Sequence, residues 1–403
     1  MNLVFTSYND KNICALFDDK KMVQADVITP LEHDDNLHSG TGNIYVGKVK
    51  NIVPNINAAF IDVGIGEQCF MQVEERIGNA PAYRLNGELV GIKRESDIVV
   101  QYIREGIKTK QPVVSTDISI TGRYLILVND SDTISVSNKI KNKVRRKEII
   151  TIIESDNNDD TYKGYIVRTN AEDVSEERLI AEKRYLDSLY KSIMQKAGHA
   201  DTYSCIYRAP DEYVSILRDS YSKQLDKIIT DNQTIYDSLL SYINEAEPEL
   251  GNKLELYTDD YPLAALYELE SNMTKALGKK VWLKSGAYII IEPTEACTVI
   301  DVNSGKAIAG KKNKENTIYK INEEAATEII RQLRLRNISG IIIIDFVDMK
   351  NEENRYALMN HLKEIAAEDP IKTTFVDMTA LGLVEMTRHK RRKSLAEQFA
   401  SAP

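Results

Sequence analysis

The hydrophobic pattern changes period several times along the chain, and each change marks a different set of elements. At the amino terminus LVFTSY, NICALFD and KMVQADVI read as short strands of a meander, with too small a core to stand alone, ending near Asn36. From about Leu37 to Thr121 the runs NIYVGKVKNIVPNINAAFIDVG, QCFMQ and DIVVQYIRE are alternating strands split by Gly, Pro and Asn, the pattern of a small barrel. A third stretch opens at Gly122 with GRYLILV and TISVS and returns as the strand Tyr165–Thr169. A helix follows, with Leu179, Ile180, Leu186, Leu189 and Ile193 on its apolar side. From about Pro210 to Gly278 the pattern is mainly helical, in DEYVSILRDSYSKQLDKIIT and PLAALYELESNMTKAL.

Two later runs carry candidate chemistry. Thr298-Val-Ile-Asp-Val-Asn-Ser-Gly-Lys306 and Ile341-Ile-Ile-Ile-Asp-Phe-Val-Asp-Met349 each begin as an apolar, β-branched segment that reads as a buried strand. Each places an aspartate, Asp301 or Asp345, where the strand would end. Between them Ile318, Ile321, Ala325, Ile329 and Leu333 recur at helical spacing. Strand, helix, strand with short connections predicts a right-handed crossover and two parallel strands, near neighbours. Ligands of open parallel sheets lie beyond the strands' carboxyl ends, so both aspartates would face one crevice. Two carboxylates with the Asn303 carboxamide make an all-oxygen donor set, suited to magnesium or manganese rather than zinc. The same spacing also suits two strand-end aspartates that cap helices or pair with arginines. Asp348 is near in sequence, but three residues on it need not face the same way.

Composition narrows the class. A chain of 403 residues with a 42% hydrophobic fraction is folded and long enough for more than one core. No apolar run approaches a membrane-spanning length, and the amino terminus lacks a signal-peptide pattern. Cys14, Cys69, Cys205 and Cys297 are scattered, which suggests buried, inert thiols in a reducing cytoplasm, and no histidine pair points to zinc. The net charge of −9 argues mildly against a nucleic-acid partner, yet its distribution is uneven. Lys139, Lys141, Lys143, Arg145, Arg146 and Lys147 form one basic cluster and His389–Lys393 another. Lys306, Lys311, Lys312 and Lys314 follow the first aspartate. Any single basic run is more often a solvated face. Three of them beside an acidic metal site favour an RNA groove.

The segment EACTVIDVNSGK (Glu295–Lys306), the helix ending Arg331-Gln-Leu-Arg-Leu-Arg336 and IIIIDFVDM resemble the nuclease core of the ribonuclease E/G family. So do Gly382-Leu-Val-Glu-Met-Thr-Arg388 and Gly42-Asn-Ile-Tyr-Val-Gly-Lys48. The resemblance covers essentially the whole chain, in the family's order. It implies an α+β multidomain fold. An RNase H-like subdomain would be split between residues 1–36 and 210–278. An OB-fold RNA-binding barrel (37–121) and a 5′-phosphate sensor (122–209) would be inserted in it, and a DNase I-like α/β nuclease subdomain (279–403) would follow. It further implies a magnesium-dependent endoribonuclease that cuts single-stranded RNA, leaves 5′-phosphate and 3′-hydroxyl ends, and is stimulated by a 5′-monophosphate. Ribosomal RNA processing, messenger RNA decay or both would be its work.

By the same resemblance Asp301 and Asp345 match the family's magnesium-binding, catalytic aspartates, with Asn303 supporting them. Glu295 falls on a motif position with at most a supporting role. Phe60 and Phe70 match base-stacking positions of the barrel and Lys110 a basic position nearby, although without the resemblance both phenylalanines would be read as core residues, since alternation does not say which face is wet. Arg168 and Thr169 match the sensor's phosphate ligands, with the Val128 backbone near the matching loop. Lys372 stands where the family can use an arginine; it keeps the charge and loses the bidentate fork. Lys306 is a further candidate for RNA contact, and equally a solvated loop lysine.

Many family members carry a Cys-Pro-x-Cys zinc motif that links two protomers, and some carry a long disordered scaffold tail. Neither pattern is found here, so no zinc and no zinc-linked dimer are expected; a homodimer through other surfaces is left open. Two rival readings have their own expectations. A non-catalytic RNA-binding scaffold of the same fold would lack one of the metal-site residues, all three of which are present. A phosphohydrolase acting on a small substrate would need neither the barrel's aromatics nor the basic clusters.

Overall fold

A computed structural model describes residues 1–28, 40–77, 80–85, 88–106, 111–129, 131–156, 163–219, 225–307, 313–369, 371–390 and 392–400. They fall into two compact units, one of Met1–Pro30 with Ser222–Pro403 and the other of Leu31–Tyr221. Every count below refers to the described residues.

The first unit contains two sheets. Asn2–Tyr8, Lys11–Asp18 and Lys21–Ile28 form an antiparallel meander. Its outer edge is extended by Lys227–Thr230, parallel to Asn2–Tyr8, and by Leu254–Leu256 parallel beyond that. Val4, Phe17 and Met22 of the meander share a core with Ile229, Leu263, Leu269 and Met273. Among the described residues, the apolar face of the three amino-terminal strands is covered by residues from much later in the chain.

The second sheet carries the candidate chemistry. Its strand order is Lys280–Trp282, Tyr288–Pro293, Cys297–Asn303, Gly340–Asp345, Val384–Arg388, Thr373–Met378. Neighbours are antiparallel except Cys297–Asn303 and Gly340–Asp345, which are parallel and directly paired, as the crossover pattern predicts. The connecting helix is Lys314–Leu335. The Asn313 side chain caps its start by accepting from the Asn316 N–H, and Asn337 just beyond its end has a left-handed backbone (φ 49°). Ile321, Ala325, Ile329 and Leu333 on this helix pack with Ile300, Val302, Ile342 and Ile344, and Leu358 and Leu362 of helix Glu352–Ala367 join the same core.

The two strands are not buried on both faces, as their continuous apolar composition suggests. Thr298, Ile300, Val302, Ile342 and Ile344 are buried, while Val299 is 37% exposed and Ile341 51%. The helices cover one face, and the alternation of side chains leaves Val299, Asp301, Asn303, Ile341, Ile343 and Asp345 on the other.

The second unit is built around a closed, OB-like barrel. Ile44–Val53, Ala58–Asp62, Gln68–Gln72, Val113–Ser115 and Asp97–Arg104 follow one another around it, and Asp97–Arg104 pairs back onto Ile44–Val53. Val49, Ala59, Ile61, Cys69, Met71, Val100 and Val114 fill its interior. A four-stranded sheet of Ser119–Thr121, Leu125–Val128, Gly164–Val167 and Ile134–Val136 packs on helices Lys143–Ser155 and Glu176–Ala197. The protein is therefore of mixed α+β class with an OB-like barrel. No described helix is long and apolar enough to cross a membrane. All four cysteines are free; Cys14 and Cys69 are buried, whereas Cys205 and Cys297 are only partly so, which corrects the expectation of four buried thiols.

One buried ion pair ties the second sheet of the first unit together. Arg388 and Asp369 are each 1% exposed, and Arg388 Nε donates to Asp369 Oδ2 at 2.7 Å. Arg388 Nη1 also donates to the Ile338 carbonyl at 3.0 Å. Removing one partner of a buried pair leaves an uncompensated charge, so Asp369→Ala should cost about 3–5 kcal/mol. Native-state hydrogen exchange at the Gly340–Asp345 amides should report that loss, and Asp369→Asn, which keeps an acceptor, should lose less. Unchanged protection in Asp369→Ala would show that the pair contributes little.

Candidate active site

Parallel pairing puts the two aspartates side by side. Asp301 and Asp345 are register partners at the carboxyl ends of their strands, so their backbones lie about 4.8 Å apart and both side chains leave the uncovered face. Asn303, two residues beyond Asp301, shares that face and its Nδ2 donates to Asp301 Oδ2 at 2.5 Å. The Asp345 carboxyl is held above the usual carboxylate range, by partial burial first, then by the negative charges of Asp301 and Asp348. No ion pair to Asp301 or Asp345 is found among the described residues. That answers the alternative drawn from the sequence, since these aspartates neither cap a helix nor pair with a described arginine. Concentrated negative charge without a described counter-ion is a donor set that suits a hard cation. There is no described cluster of three or more His, Cys, Asp or Glu side chains able to hold a metal, so the set is two carboxylates and one carboxamide.

Local interactions fix the chain on either side of these residues. Asn322 is fully buried on the helix facing the sheet; its Nδ2 donates to the Val347 carbonyl at 2.8 Å and its Oδ1 accepts from the Val347 N–H at 3.1 Å. That two-way clamp holds the backbone two residues after Asp345. The sequence carried one sign of it, an asparagine within the apolar stripe of the helix beside Ile321 and Ala325. Past Asn303 the chain turns at Gly305 (φ 53°), where an added Cβ would stand 2.9 Å from the Gly286 carbonyl oxygen. The turn therefore needs glycine both for its backbone conformation and for its close approach to the Leu283–Gly286 turn. Lys306 follows, exposed. Glu295 lies in the turn before Cys297, at the opposite end of the strand and more than about 13 Å from Asp301, which rules out a supporting role at the site.

The remaining candidates are distributed as follows. Phe60 and Phe70 are cross-strand partners in the barrel, with ring centroids 6.2 Å apart in an edge-to-face arrangement. Both are half-buried on the outer face while Ala59, Ile61, Cys69 and Met71 point inward, so they are not core residues. Lys110, Lys311 and Lys312 lie outside the described residues. In the basic cluster Arg145 donates to the carbonyls of Glu172 and Val174, and Arg146 to those of Val136, Ser137 and Ile140. These two arginines stitch the fold and do not present a free cationic face; Lys141, Lys143 and Lys147 are exposed.

Around Arg168 the second unit gathers donors and acceptors closely. The Arg168 guanidinium donates to the Gly122 carbonyl at 2.6 Å and to Asp219 Oδ1 at 2.7 Å. The Thr169 hydroxyl lies 3.0 Å from that of Ser137. Val128 is the last residue of its strand, paired with Ser119 on one side and Gly164 on the other. Lys372 belongs to the first unit, exposed, with its carbonyl accepting from the His389 N–H at 2.9 Å. Sequence reasoning missed Glu182, whose carboxylate accepts the backbone N–H groups of Arg123, Tyr124 and Leu125.

Comparison with known proteins gives the family. Residues 119–391 match the ribonuclease E/G family. Ribonuclease G of Salmonella typhimurium is 36% identical over 364 residues, which cover 88% of this chain and 73% of that protein. Ribonuclease G of Haemophilus influenzae is also 36% identical over 364 residues, and ribonuclease E of Synechocystis sp. is 34% identical over 367 residues, 89% of this chain and 53% of that protein. A mixed α+β protein with an OB-like barrel and a strand-end carboxylate pair, this chain belongs to the ribonuclease E/G family.

Glu182 gives the second unit a pH dependence. Burial pushes its carboxyl from 4.5 up to about 7, against the three backbone donors and the Arg168 charge. A raised acid keeps its proton in the folded chain where the unfolded chain has lost it. Stability therefore falls as pH rises from the unfolded value to about 7, by at most about 1.4 kcal/mol per pH unit, and levels off above that. Denaturant titrations from about pH 5 to about pH 8 should show this decline in the wild type and a flatter profile in Glu182→Gln. Equal slopes would mean that Glu182 is ionised throughout.

Proposed function

We propose that this chain cleaves single-stranded RNA internally by metal-dependent hydrolysis at Asp301 and Asp345. The observation that carries the reading is their in-register pairing on an uncovered sheet face, in a member of the ribonuclease E/G family. The chain is an endoribonuclease, and relatives that it matches over most of its length are named ribonuclease G and ribonuclease E. Asp301 and Asp345 would hold magnesium, or manganese, through carboxylate oxygens, and the residues fit such an ion because every donor is oxygen and no described cation neutralises them. When bound, that ion supplies a Lewis acid and a water of lowered pKa. Asn303 fixes Asp301 through its amide, and the Asn322 clamp on Val347 fixes the segment that follows Asp345. Water attacks phosphorus and the bond to the 3′-oxygen breaks, leaving a 5′-phosphate and a 3′-hydroxyl. Lys306, exposed on the loop after Asn303, would contact a neighbouring phosphate.

The second unit would bind the rest of the RNA. Phe60 and Phe70 on the outer barrel face are placed to stack on bases, with Lys110 as the cation of that surface. Arg168 and Thr169, with Val128 as a further candidate, would sense a 5′-monophosphate; a guanidinium fork with a hydroxyl is a fitting partner for a phosphate dianion. In this reading residues 1–36 and 210–278 form the RNase H-like subdomain, supported by the pairing of Asn2–Tyr8 with Lys227–Thr230. Residues 37–121 form the barrel, 122–209 the sensor and 279–403 the DNase I-like subdomain. Four free thiols support a cytoplasmic setting, and ribosomal RNA processing or messenger RNA decay are the fitting roles.

An internally labelled single-stranded RNA with magnesium tests the chemistry. Asp301→Asn and Asp345→Asn should each lower cleavage at least about a hundredfold while RNA binding persists, and chelator should abolish it in the wild type. RNA that is bound but never cut, at any magnesium or manganese concentration, would leave an RNA-binding scaffold.

The sensor has a separate test, the ratio of rates on 5′-monophosphate and 5′-hydroxyl RNA. Arg168→Ala should bring that ratio toward one. Asp219→Asn, which releases the guanidinium from its carboxylate, should raise it. A ratio of one in the wild type would remove the sensor from the proposal.

A further inference from the structure

The chain's single tryptophan is 64% exposed, an unusual position for so large an apolar surface. Trp282 is not alone there. It meets Tyr288 edge-to-face, with ring centroids 5.2 Å apart and planes at 62°. Lys280 Nζ lies 4.0 Å from the tryptophan ring centroid and 3.7 Å from that of the tyrosine. Val281 and Leu283 pack against the core beneath, and Ile289 is buried, so Lys280, Trp282 and Tyr288 project from the opposite, uncovered face.

Sheet register connects this group to the candidate active site. Trp282 pairs with Tyr288, which pairs with Asn303, so the three form one row across the sheet. The adjacent row on that face runs Lys280, Ile290, Asp301, Asp345. At about 4.8 Å per strand, Tyr288 is one spacing from Asn303 and Trp282 two. The turn that follows Asn303 rests on the same hairpin, since a Cβ on Gly305 would stand 3.8 Å from Tyr288 Cδ1 and 2.9 Å from the Gly286 oxygen.

We propose that Trp282 and Tyr288, with Lys280 beside them, form a nucleotide subsite that stacks one base of the single-stranded RNA next to the phosphate held at Asp301 and Asp345. The proposal rests on the nuclease reading above and adds a binding surface within the first unit. The exposed Trp282 ring offers a face to any base, half-buried Tyr288 supports it edge-to-face, and the Lys280 ammonium beside them offers a charge to the phosphate. Such a platform grips a strand without selecting its sequence. It would also fix which phosphate meets the aspartates, because base and scissile bond belong to neighbouring nucleotides.

The single tryptophan makes the test direct. A short single-stranded oligoribonucleotide is titrated into the full chain with chelator in place of magnesium, so that it binds without being cut, while tryptophan emission is followed. Saturable quenching, matching binding measured by anisotropy of a labelled oligonucleotide, is expected. With cleavable RNA, Trp282→Ala should raise KM about tenfold and leave kcat within about twofold, while Trp282→Phe, which keeps a ring, should stay near the wild type. An abasic residue beside the cleaved bond should cost the wild type the same factor and cost Trp282→Ala little more. If RNA binds and is cut but emission stays constant and Trp282→Ala has the wild-type KM, the subsite is wrong and the nuclease reading stands. If the oligonucleotide quenches the emission yet RNA is never cut, the subsite stands and the nuclease reading fails. If emission instead changes with protein concentration in the absence of RNA, and sedimentation shows a dimer that Trp282→Ala dissociates, the face joins two copies of this chain and the subsite is overturned.

Discussion

The first unit depends on one constraint, the parallel pairing of Cys297–Asn303 with Gly340–Asp345. Hydrogen bonds in the ladder bring two carboxylates to neighbouring positions although their charges repel, and the raised pKa of Asp345 reflects partial burial first and then that opposition. What holds them there lies on the other face of the sheet. Ile300, Val302, Ile342 and Ile344 are buried against Ile321, Ala325, Ile329 and Leu333, and removing that much apolar surface from water outweighs a repulsion between partly solvated groups. A core on one face and charge on the other follow from the same two-residue alternation. Slipping either strand by one residue would bury an aspartate and expose an isoleucine together, so the register is strongly specified.

Polar groups then convert an approximate placement into a fixed one. Asn322 has to be buried to reach Val347, and it tolerates burial because both ends of its amide are satisfied. Arg388 does the same for the strand on the other side of Gly340–Asp345, joining Asp369 to the Ile338 carbonyl. Gly305 allows the loop after Asn303 to lie against the next turn. These residues fix the backbone from which the aspartates project, and Asn322 and Arg388 do so from within the core.

Much of this was legible in the sequence, and the reasons differ from residue to residue. The strand, helix, strand pattern around Asp301 and Asp345 could be read because apolar periodicity specifies both the elements and the crossover. The outward direction of Phe60 and Phe70 could not, because alternation gives two faces without saying which is wet. The basic cluster looked like a binding surface since sequence counts charges and not their partners; Arg145 is committed to the carbonyls of Glu172 and Val174, and Arg146 to those of Val136, Ser137 and Ile140. Asp219 beside Arg168 and Glu182 beneath Arg123–Leu125 are tertiary contacts with no local signature. The relation of Trp282 to Asn303 needed two strand registers in succession, and no single segment of sequence carries it.

The connectivity carries a further consequence for how the protein forms. In the second unit the barrel strands pair within Ile44–Ser115, so its ladder closes once that segment exists. In the first unit Asn2–Tyr8 can form its meander at once, but its other edge pairs with Lys227–Thr230, far along the chain. Closing so long a loop costs only slowly increasing entropy if the intervening chain is flexible, and a compact insert behaves as a shorter link still. The meander's apolar face, with Val4, Phe17 and Met22, has no cover until Ile229, Leu263, Leu269 and Met273 arrive. Until then it is an exposed sheet edge and an exposed apolar surface together, the combination that favours wrong pairing. The order of events that avoids it is barrel first and discontinuous sheet last, and with the sheet comes the segment from Lys280 onward that carries Asp301 and Asp345.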